Sequence, residues 1–385
     1  MKKVRLGIVG IGNMGSSHAR TLLDGKVKGM ELAALCDVNA QKLAPFPGVK
    51  HFADSREMIR SGLIDAILIA VPHFDHTTIG IDALEQGLHV LVEKPISVHK
   101  ADCERLIGAH KKEGQIFAAM FNQRTDLYYQ KMRELIRGGE LGQIRRVNWI
   151  ITNWFRTEQY YASGDWRATW KGEGGGVLLN QCPHNLDLVW WLFGNPSKIR
   201  AFATLGRYHD IEVEDDVTAY FEYPDGAKLV FITSTGEAPG TNRLEVVGER
   251  GKLVYERDKL SYERNEVPMS EFSKKSEQGF ATPSKWNVEI PVSGHGGQHT
   301  EIMENFAAAI LEKKTLLSPA KEGIYSVEFA NAMLLSSAEE CTVDLPMDSG
   351  RYDKFLKKLI AGSRYQKKAA VGGSPVDLSS TYGNK

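Results

Sequence analysis

The chain has 385 residues, of which 42% are hydrophobic and 25% charged, a composition that predicts a globular protein of two domains with separate cores. Its 48 Lys and Arg residues balance its 48 Asp and Glu residues, so no net field favours nucleic acid, an anionic membrane or a strongly charged substrate. We therefore expect a small, roughly neutral molecule as the partner.

Features that would mark export or a disulfide framework are weak. The four cysteines lie far apart and form no CxxC pair, which favours a reducing compartment over a disulfide scaffold or a zinc ribbon. The apolar run after the first lysines is short, is broken by glycines and has no small-residue cleavage site. We expect a cytoplasmic protein that does not cross a membrane.

The first 122 residues alternate short apolar runs with helical patterns, starting with "VRLGIVG", "MGSSHARTLLD" and "ELAALCD". Such alternation is typical of βαβ units with a buried parallel sheet. The first turn, Gly10-Ile11-Gly12-Asn13-Met14-Gly15, is a GxGxxG between strand and helix, and Asp37 follows about 20 positions later. A tight turn alone would explain the glycines, but the combination predicts a Rossmann domain over residues 1–122 that binds a dinucleotide pyrophosphate.

The charge at the end of the second predicted strand bears on cofactor choice. A carboxylate at Asp37 accepts hydrogen bonds from ribose hydroxyls and repels a 2′-phosphate, and no arginine follows it. NAD is favoured over NADP, and the alternative is a solvated aspartate. Farther on, Glu93-Lys94-Pro95 ends the strand "HVLV", where ligands of open α/β sheets bind. Lys94 is either a reactive amine at the cofactor or a surface lysine before a turn.

Residues 123–385 form a second predicted domain of α+β type. A helix "LYYQKMRELIRGG" and a strand "QIRRVNWIITNWF" precede a glycine-rich segment. From 197 to about 264 hairpin turns and period-two patterns predict an antiparallel sheet with one covered face. Helices are expected at about 298–313 and 319–341, and the polar tail after about 362 is expected to be a flexible extension or an arm on a neighbouring subunit.

The glycine-rich segment "GGGVLLNQCPHNLDLVWWLFG", residues 174–194, has the pattern of an amphipathic helix behind three glycines. Asn180, His184 and Asp187 then share one face at four- and three-residue spacing. We expect Asn180 and His184 to face a substrate, the glycines to admit backbone amides and a bulky sugar, and Asp187 either to support the row or to form a buried cap or ion pair.

Two other stretches border this segment in the prediction. Trp166 and Arg167, in "QYYASGDWRATWKGEGGG", either line the site by stacking on a sugar and binding its hydroxyls or pack the loop onto the sheet. His295 and His299, in "GHGGQH", invite a zinc interpretation, but no HExxH accompanies them. We expect a loop at the active site or a plain helix entry there, and no metal.

Three landmarks in order, "GIVGIGNMGSSHAR", "ALEQGLHVLVEKPIS" and the glycine-rich segment, resemble the glucose-fructose oxidoreductase, inositol dehydrogenase and rhizopine-catabolism (Gfo/Idh/MocA) family over residues 1–345. The resemblance implies a Rossmann domain followed by a domain with a large open, mainly antiparallel sheet, and NAD(P)-dependent redox chemistry on sugars, cyclitols or glycosides. It implies catalytic roles for Lys94 and His184. Asn180 stands where the family commonly has Asp, so it can orient His184 or bind a substrate hydroxyl but cannot raise the basicity of the imidazole.

The candidate residues follow from these patterns. Those assigned to catalysis are Lys94, His184 and Asn180. Those assigned to the cofactor are Gly10, Gly12, Asn13, Met14, Gly15, Asp37, Pro72, His76, Glu93, Lys94 and Asn122. Those assigned to the substrate are Lys94, Asn122, Arg124, Trp166, Arg167, Asn180 and His184.

These residues lead to one preferred function and two alternatives. We favour an NAD-dependent dehydrogenase that oxidises a ring hydroxyl, at C3, of a sugar, glycoside or cyclitol. One alternative is a redox-assisted glycosidase that passes through a 3-keto intermediate and keeps its NAD. The other is an NAD-sensing regulator without catalysis. The "NQxPHNLD" pattern is similar to members that act on glycosides and anhydrosugars, and the resemblance implies a homo-oligomer, a dimer or tetramer formed through the open face of the second sheet.

Overall fold

The computed structural model describes residues 2–367, and its N-terminal part is a parallel six-stranded sheet in the order β3-β2-β1-β4-β5-β6. Both faces are buried, as the unbroken apolar runs predict. The strands are β1 (Val4–Val9), β2 (Met30–Cys36), β3 (Lys50–Phe52), β4 (Ala66–Ile69), β5 (His89–Val92) and β6 (Phe117–Ala119). The connecting helices are α1 (Asn13–Leu23), α2 (Ala40–Leu43), α3 (Ser55–Arg60), α4 (His73–Glu85) and α5 (Lys100–Ala109). The predicted doubly wound fold is confirmed.

The second sheet has nine strands among the described residues, in the order β14-β13-β12-β11-β7-β10-β9-β8-β15. Every pairing is antiparallel except that of β7 with β10, so the expected mainly antiparallel sheet is confirmed. The strands are β7 (Ile144–Ile151), β8 (Lys198–Leu205), β9 (Glu214–Glu222), β10 (Lys228–Ser234), β11 (Asn242–Gly248), β12 (Gly251–Glu256), β13 (Lys259–Asn265), β14 (Lys285–Ile290) and β15 (Val343–Asp344).

The later helices are α6 (Leu127–Arg137), α7 (Glu158–Ala162), α8 (Pro183–Phe193), α9 (Met269–Lys275), α10 (Gln298–Glu312), α11 (Gly323–Ala338) and α12 (Ser349–Gly362). Of these, α6, α8, α11 and α12 contribute to the core on one face of this sheet, and the other face, which carries the exposed Phe202, is open. The buried core beneath them includes Trp149, Phe221, Phe231 and Phe329. No helix among residues 2–367 has the length and apolar character needed to cross a bilayer.

Helix α10 does not stay with the second domain. Its residues Ile302, Met303 and Phe306 share a core cluster with Leu6 and Met30 of the first sheet. The predicted division at residue 122 therefore does not separate all the helices, because the chain returns to the first domain at α10.

The glycine-rich segment corrects one expectation. Residues 174–182 form bends and turns and the helix begins only at Pro183, so the prediction of a helix directly behind the three glycines is wrong for residues 177–182. Gly174 has φ +81°, and a Cβ on Gly176 would lie 1.9 Å from the carbonyl oxygen of Glu214. The glycines therefore serve close packing against protein atoms, and Pro183 takes the first helical position, where no amide donor is needed.

The end of the described chain lies on its own domain. The Tyr365 hydroxyl donates to the carbonyl oxygen of Asp210 at 2.5 Å, and Lys367 Nζ donates to the carbonyl oxygen of Arg167 at 2.9 Å. Tyr365 and Lys367 thus contact the loops that carry Asp210 and Arg167, respectively. The rest of the predicted flexible tail or arm, residues 368–385, lies outside the described residues.

Candidate active site

The glycines of the first turn have three different surroundings. Gly10 has φ +90°, and a Cβ there would lie 2.5 Å from the carbonyl oxygen of Ala70. A Cβ on Gly15 would lie 1.9 Å from the carbonyl oxygen of Gly10, so Gly15 lets α1 approach the turn. Gly12 faces open space, and no side chain caps the first amides of α1. This arrangement fits a pyrophosphate at the helix N-terminus.

Asp37 ends the second strand and is 7% exposed. Its Oδ2 accepts a hydrogen bond from Ile11 N and its Oδ1 accepts one from Asn39 N, each at 2.8 Å. Lys42 Nζ lies 3.6 Å from Oδ2, a neighbour that the sequence analysis did not consider. Asp37 therefore holds the glycine turn in place as well as lining the cleft.

A cleft of about 630 Å³ joins the two domains. From the first domain it is lined by most of the predicted cofactor residues, namely Gly10, Gly12, Asn13, Met14, Asp37, Pro72, His76, Glu93 and Lys94. From the second domain it is lined by Tyr160, Trp166, Arg167 and Asn180. Gly15 and Asn122 are outside this lining, and Asn122 Nδ2 donates to Gln298 Oε1 at 2.6 Å.

Lys94 lies where the two domains meet in the cleft. Its half-buried ammonium donates to the main-chain carbonyl oxygen of Asn180 at 2.9 Å. Burial lowers the pKa of Lys94, and the neighbouring Glu93 carboxylate partly opposes that shift. The amine is therefore held in the cleft with a reduced cost of losing its proton.

Two histidines brace the strand end that carries Lys94. Burial opposes ionisation of Glu93, but a hydrogen bond from His18 Nε2 at 2.7 Å, together with the electrostatic effects of His18, His299 and Lys94, outweighs it, and the pKa of Glu93 falls to about 2. The ring nitrogens of His76 lie 2.8 Å from the carbonyl oxygen of Pro95 and 2.9 Å from that of Val71. His76 thus ties two loops of the cleft together, and the bracing role of His18 was missed by the sequence analysis.

His184 is 5% exposed and packs edge-on against Phe121, with ring centroids 6.2 Å apart. Burial, followed by the charge of Lys94, holds the pKa of His184 well below its usual value. The neutral imidazole is therefore favoured, and the same burial opposes the uptake of a proton. Its Nδ1 has no hydrogen-bond partner within residues 2–367.

Asp187 and Arg124 form a buried ion pair, which is one of the two roles expected for Asp187. Arg124 donates from Nε to Oδ2 at 2.8 Å and from Nη2 to Oδ1 at 2.6 Å, and both side chains are 1% exposed. Nη1 of Arg124 donates to Glu322 Oε2 at 2.5 Å and to the carbonyl oxygen of Leu317. The structure therefore does not bring Arg124 to the cleft, where substrate contact was expected.

Asn180 reaches the cleft from the turn before α8 and not from a shared helix face with His184. Its Oδ1 accepts from the Tyr160 hydroxyl at 3.1 Å and from Gln181 Nε2 at 3.1 Å. Its Nδ2 donates to Glu173 Oε1. Both ends of the Asn180 amide are thus held by protein groups.

Comparisons with known proteins agree with this geometry. Residues 4–121 match the oxidoreductase family with an NAD-binding Rossmann fold, and residues 129–254 match the Gfo/Idh/MocA C-terminal domain. The chain belongs to the Gfo/Idh/MocA oxidoreductase family. Its N-terminal domain is therefore an NAD-binding Rossmann domain, which the glycine turn and Asp37 fit.

The relatives of this chain include inositol 2-dehydrogenase of Salmonella typhimurium, which is 32% identical to the chain over an alignment that covers 51% of the chain and 56% of the relative. Myo-inositol 2-dehydrogenase of Thermotoga maritima is 26% identical over 65% and 74%. The chain thus spans about half the length of the first of these relatives.

Solved structures of similar fold include two sugar-related dehydrogenases. The WlbA dehydrogenase of Chromobacterium violaceum, in complex with NADH and UDP-GlcNAcA, has a TM-score of 0.78 and 25% identity, with coverage of 90% of this chain and 97% of that chain. A levoglucosan dehydrogenase in complex with NADH and levoglucosan has a TM-score of 0.74 and 21% identity, with coverage of 90% and 100%.

The loop before the glycines forms the outer wall of the cleft in this family member. The guanidinium of Arg167 lies 4.7 Å from the ring centroids of both Tyr160 and Trp166, and its Nη1 donates to the Tyr160 hydroxyl at 2.9 Å. Trp166 also packs edge-on against His73, with centroids 5.4 Å apart. Trp166 and Arg167 therefore line the cleft, as one of the two sequence interpretations expected.

The two histidines of "GHGGQH" have different neighbours. His295 Nδ1 lies 2.8 Å from Asp126 Oδ2, whereas the ring of His299 lies 5.5 Å from that of His18, and burial lowers the pKa of His299 to about 4. Within residues 2–367, no three His, Cys, Asp or Glu side chains are grouped so as to hold a metal ion. The segment therefore contacts the N-terminus of α6 through His295 and α1 through His299.

Proposed function

We propose that this chain is an NAD-dependent dehydrogenase that oxidises a secondary ring hydroxyl, at C3, of a sugar, glycoside or cyclitol. The observation that carries the proposal is the amine of Lys94, held in the cofactor cleft by the carbonyl oxygen of Asn180 and near a buried, neutral His184. Relatives named inositol 2-dehydrogenase and the fold shared with a levoglucosan dehydrogenase support a polyhydroxylated ring as the substrate.

The proposed reaction removes a proton from the hydroxyl oxygen and a hydride from its carbon. When bound, NAD supplies the hydride acceptor at its nicotinamide ring. Lys94 suits the role of base, since its lowered pKa favours the neutral amine that takes the hydroxyl proton. The pKa of His184 is held well below its usual value, so its neutral imidazole suits a hydrogen-bond donor to the developing alkoxide.

The substrate would lie between Lys94 and the outer wall of the cleft. Trp166 offers an apolar ring face, and Arg167 offers guanidinium donors beyond the one given to Tyr160, a combination that suits the apolar faces and hydroxyl rims of a sugar ring. Arg124 is left out of this proposal because its donors are taken by Asp187 and Glu322.

A panel of sugars, cyclitols and aryl glycosides incubated with NAD tests the proposal. NADH accumulation with turnover supports the dehydrogenase. Aglycone release with tightly held NAD and no free NADH supports the 3-keto glycosidase instead, and NAD binding with neither product supports the regulator. Lys94→Ala should abolish whichever reaction is found. Lys112→Ala is the matched control, since Lys112 also donates to a carbonyl oxygen, that of Glu85, but lies outside the cleft.

We also propose a homo-oligomer that buries the open face of the nine-stranded sheet. That face carries a cross-strand row of Phe202, Thr218, Ile232 and Ile150, and Phe202 is 65% exposed. Phe202→Lys should lower the mass measured by light scattering if the row is an interface. The four unpaired cysteines support the further proposal of a reducing, cytoplasmic setting.

A further inference from the structure

Glu173 is a buried carboxyl group at the cleft to which the sequence analysis gave no role. It is 2% exposed and immediately precedes the three glycines. Its Oε2 accepts a hydrogen bond from Ala168 N at 2.6 Å, and its Oε1 accepts one from Asn180 Nδ2. Such a group is costly to bury unless each oxygen is used.

Both partners of Glu173 are N–H donors, which bears on its charge state. A neutral carboxyl would carry its proton on an oxygen that already faces a donor, whereas a carboxylate accepts from both. Burial raises the pKa of Glu173, and the nearby guanidinium of Arg167, the Ala168 amide and the Asn180 amide oppose that rise. The hydrogen-bond pattern is that of the ionised form.

The direction of the Asn180 amide follows from Glu173. Because Nδ2 is given to the carboxylate, Oδ1 must face Tyr160, which donates its hydroxyl proton there. The Tyr160 oxygen in turn accepts from Arg167 Nη1 at 2.9 Å and from Gln181 Nε2 at 3.2 Å. The hydrogen bonds therefore run in one sense, from Arg167 through Tyr160 and Asn180 to Glu173.

The same carboxylate lies within electrostatic range of the reactive amine. Its charge favours the ammonium form of Lys94, which is itself bound to the main chain of Asn180. The other charged or titratable groups that interact with Glu173 or Lys94 are Arg167, Lys367, Glu93, Tyr160, Tyr161, His73, His184, His299, Cys182 and Glu214. The side chain of Asn180 is neutral and Glu214 accepts from the amides of Gly176 and Leu178, so the second-domain carboxylate that acts on Lys94 is that of Glu173.

We propose that Glu173 is a positioning residue: its carboxylate fixes the orientation of the Asn180 amide and the Tyr160 hydroxyl, and it is the negative charge that the second domain supplies beside Lys94. This inference rests on the proposed function for its catalytic meaning. The effects of the Glu173 charge and of its hydrogen bonds on Lys94 can be measured without a substrate.

Three variants of these two positions separate charge from shape. In Glu173→Gln an NH2 group replaces one of the two acceptor oxygens. That group faces either Ala168 N–H or Asn180 Nδ2, so two hydrogen-bond donors oppose each other. In Asn180→Asp two carboxylates meet at hydrogen-bond distance. In the double variant, which combines Glu173→Gln with Asn180→Asp, the introduced glutamine donates to the introduced aspartate and keeps its carbonyl oxygen for Ala168 N. The other oxygen of that aspartate then accepts from Tyr160. The double variant thus restores the matched donors and acceptors, with the negative charge moved from position 173 to position 180.

The readout is the pH dependence of Lys94 acetylation, followed by mass spectrometry of its peptide in the full chain with NAD bound. Glu173→Gln should shift the profile to lower pH and raise the rate near neutrality by at least about threefold, because the ammonium loses a stabilising charge. The double variant should return the profile to that of the wild type or beyond it. Glu212→Gln is the matched control. Glu212 accepts a hydrogen bond at 2.9 Å from the N–H of Trp170, which lies in the same loop as Ala168, but Glu212 has no hydrogen bond to Asn180.

The outcomes distinguish this inference from the proposed function. An unchanged Lys94 profile in Glu173→Gln, or a shift that the double variant fails to reverse, would overturn the positioning role. If Glu173→Gln does not fold, recovery of both the fold and the Lys94 profile in the double variant supports the inference, and an altered profile there refutes it. Absence of redox activity in the wild type would count against the dehydrogenase but would leave the Lys94 result standing. With an active substrate, we expect the pH dependence of kcat in Glu173→Gln to differ from that of the wild type, and we expect the double variant to restore the wild-type dependence.

Discussion

Replacement of Asp37 by alanine should weaken the preference for NAD over NADP. A 2′-phosphate about 4 Å from the carboxylate would be opposed by about 4 kcal/mol per unit charge at an effective dielectric constant of about 20, an upper bound at a site open to water. Removal of Asp37 also releases Lys42, whose Nζ lies 3.6 Å from Oδ2, to pair with that phosphate. The same change leaves Ile11 N and Asn39 N without their acceptor, so NAD binding should weaken as well.

Loss of the carboxylate charge and release of Lys42 both act in one direction on the ratio of the two dissociation constants, whereas the loosened turn weakens the binding of both nucleotides. We expect Asp37→Ala to narrow that ratio by at least about tenfold, or about 1.4 kcal/mol. Lys42 is half-exposed, so adding Lys42→Ala should reverse part of the gain for NADP, by up to about 1 kcal/mol. The assay is titration of protein fluorescence with each nucleotide at fixed salt, which needs no substrate.

Asp24→Ala is the control, because Asp24 pairs with Lys26 at 2.9 Å on the exposed end of α1 and is outside the cleft lining. A wild-type protein that binds NADP more tightly than NAD would refute the reasoning about Asp37. If the double variant of Asp37→Ala and Lys42→Ala bound NADP as tightly as Asp37→Ala alone, the contribution assigned to Lys42 would be refuted.

Three further predictions concern catalysis and stability. Lys94→Ala and His184→Ala should each lower turnover by about 10² to 10⁴ with little change in NAD affinity, and near wild-type turnover in either would remove that residue from the mechanism. Asp187→Asn should lower the free energy of unfolding by about 3 kcal/mol in urea titrations, because it leaves the guanidinium of the buried Arg124 undercompensated, and a loss below about 1 kcal/mol would contradict this. Burial lowers the pKa of His184 and takes that of His299 to about 4, so the unfolded chain binds more protons than the folded chain below about pH 6.5. The urea concentration at the unfolding midpoint should therefore fall as the pH drops from 6.5 towards 4. His299→Asn should flatten this pH dependence, and an equally steep curve would exclude the contribution of His299.

Local patterns predicted the first domain well because each strand and turn there depends on neighbours in sequence. Gly10 and Gly15 are needed for contacts with Ala70 and with the turn itself, which is the close packing that the GxGxxG pattern signals. Lys94 could likewise be placed from its position at a strand end. By contrast, the nearness of Lys42 to Asp37 depends on how α2 lies beside the turn, which no short motif records.

The second domain was harder because its site is built from distant segments. The apolar periodicity from residue 177 onward suggested a helix, but Gly174, Gly176 and Pro183 favour turns until residue 183, and the close approach to Glu214 enforces them. Asn180 was therefore given the wrong neighbours. The pairing of Arg124 with Asp187 spans 63 residues, and that of Glu173 with Asn180 depends on the turn geometry. A buried acidic residue beside a glycine run was the available signal for Glu173.

The return of α10 to the first sheet changes what counts as a unit of this protein. The polypeptide passes from the first domain to the second near residue 122 and comes back before Gln298, and Glu304 of α10 also accepts a hydrogen bond from Lys28 N at 3.0 Å. A protein cut after residue 122 would leave Leu6 and Met30 without the apolar cover of Ile302, Met303 and Phe306. After Glu312 the chain crosses again, because α11 and β15 pack on the second sheet. Three covalent connections therefore tether the lobes on either side of the cleft, and any opening or closing must turn about all three.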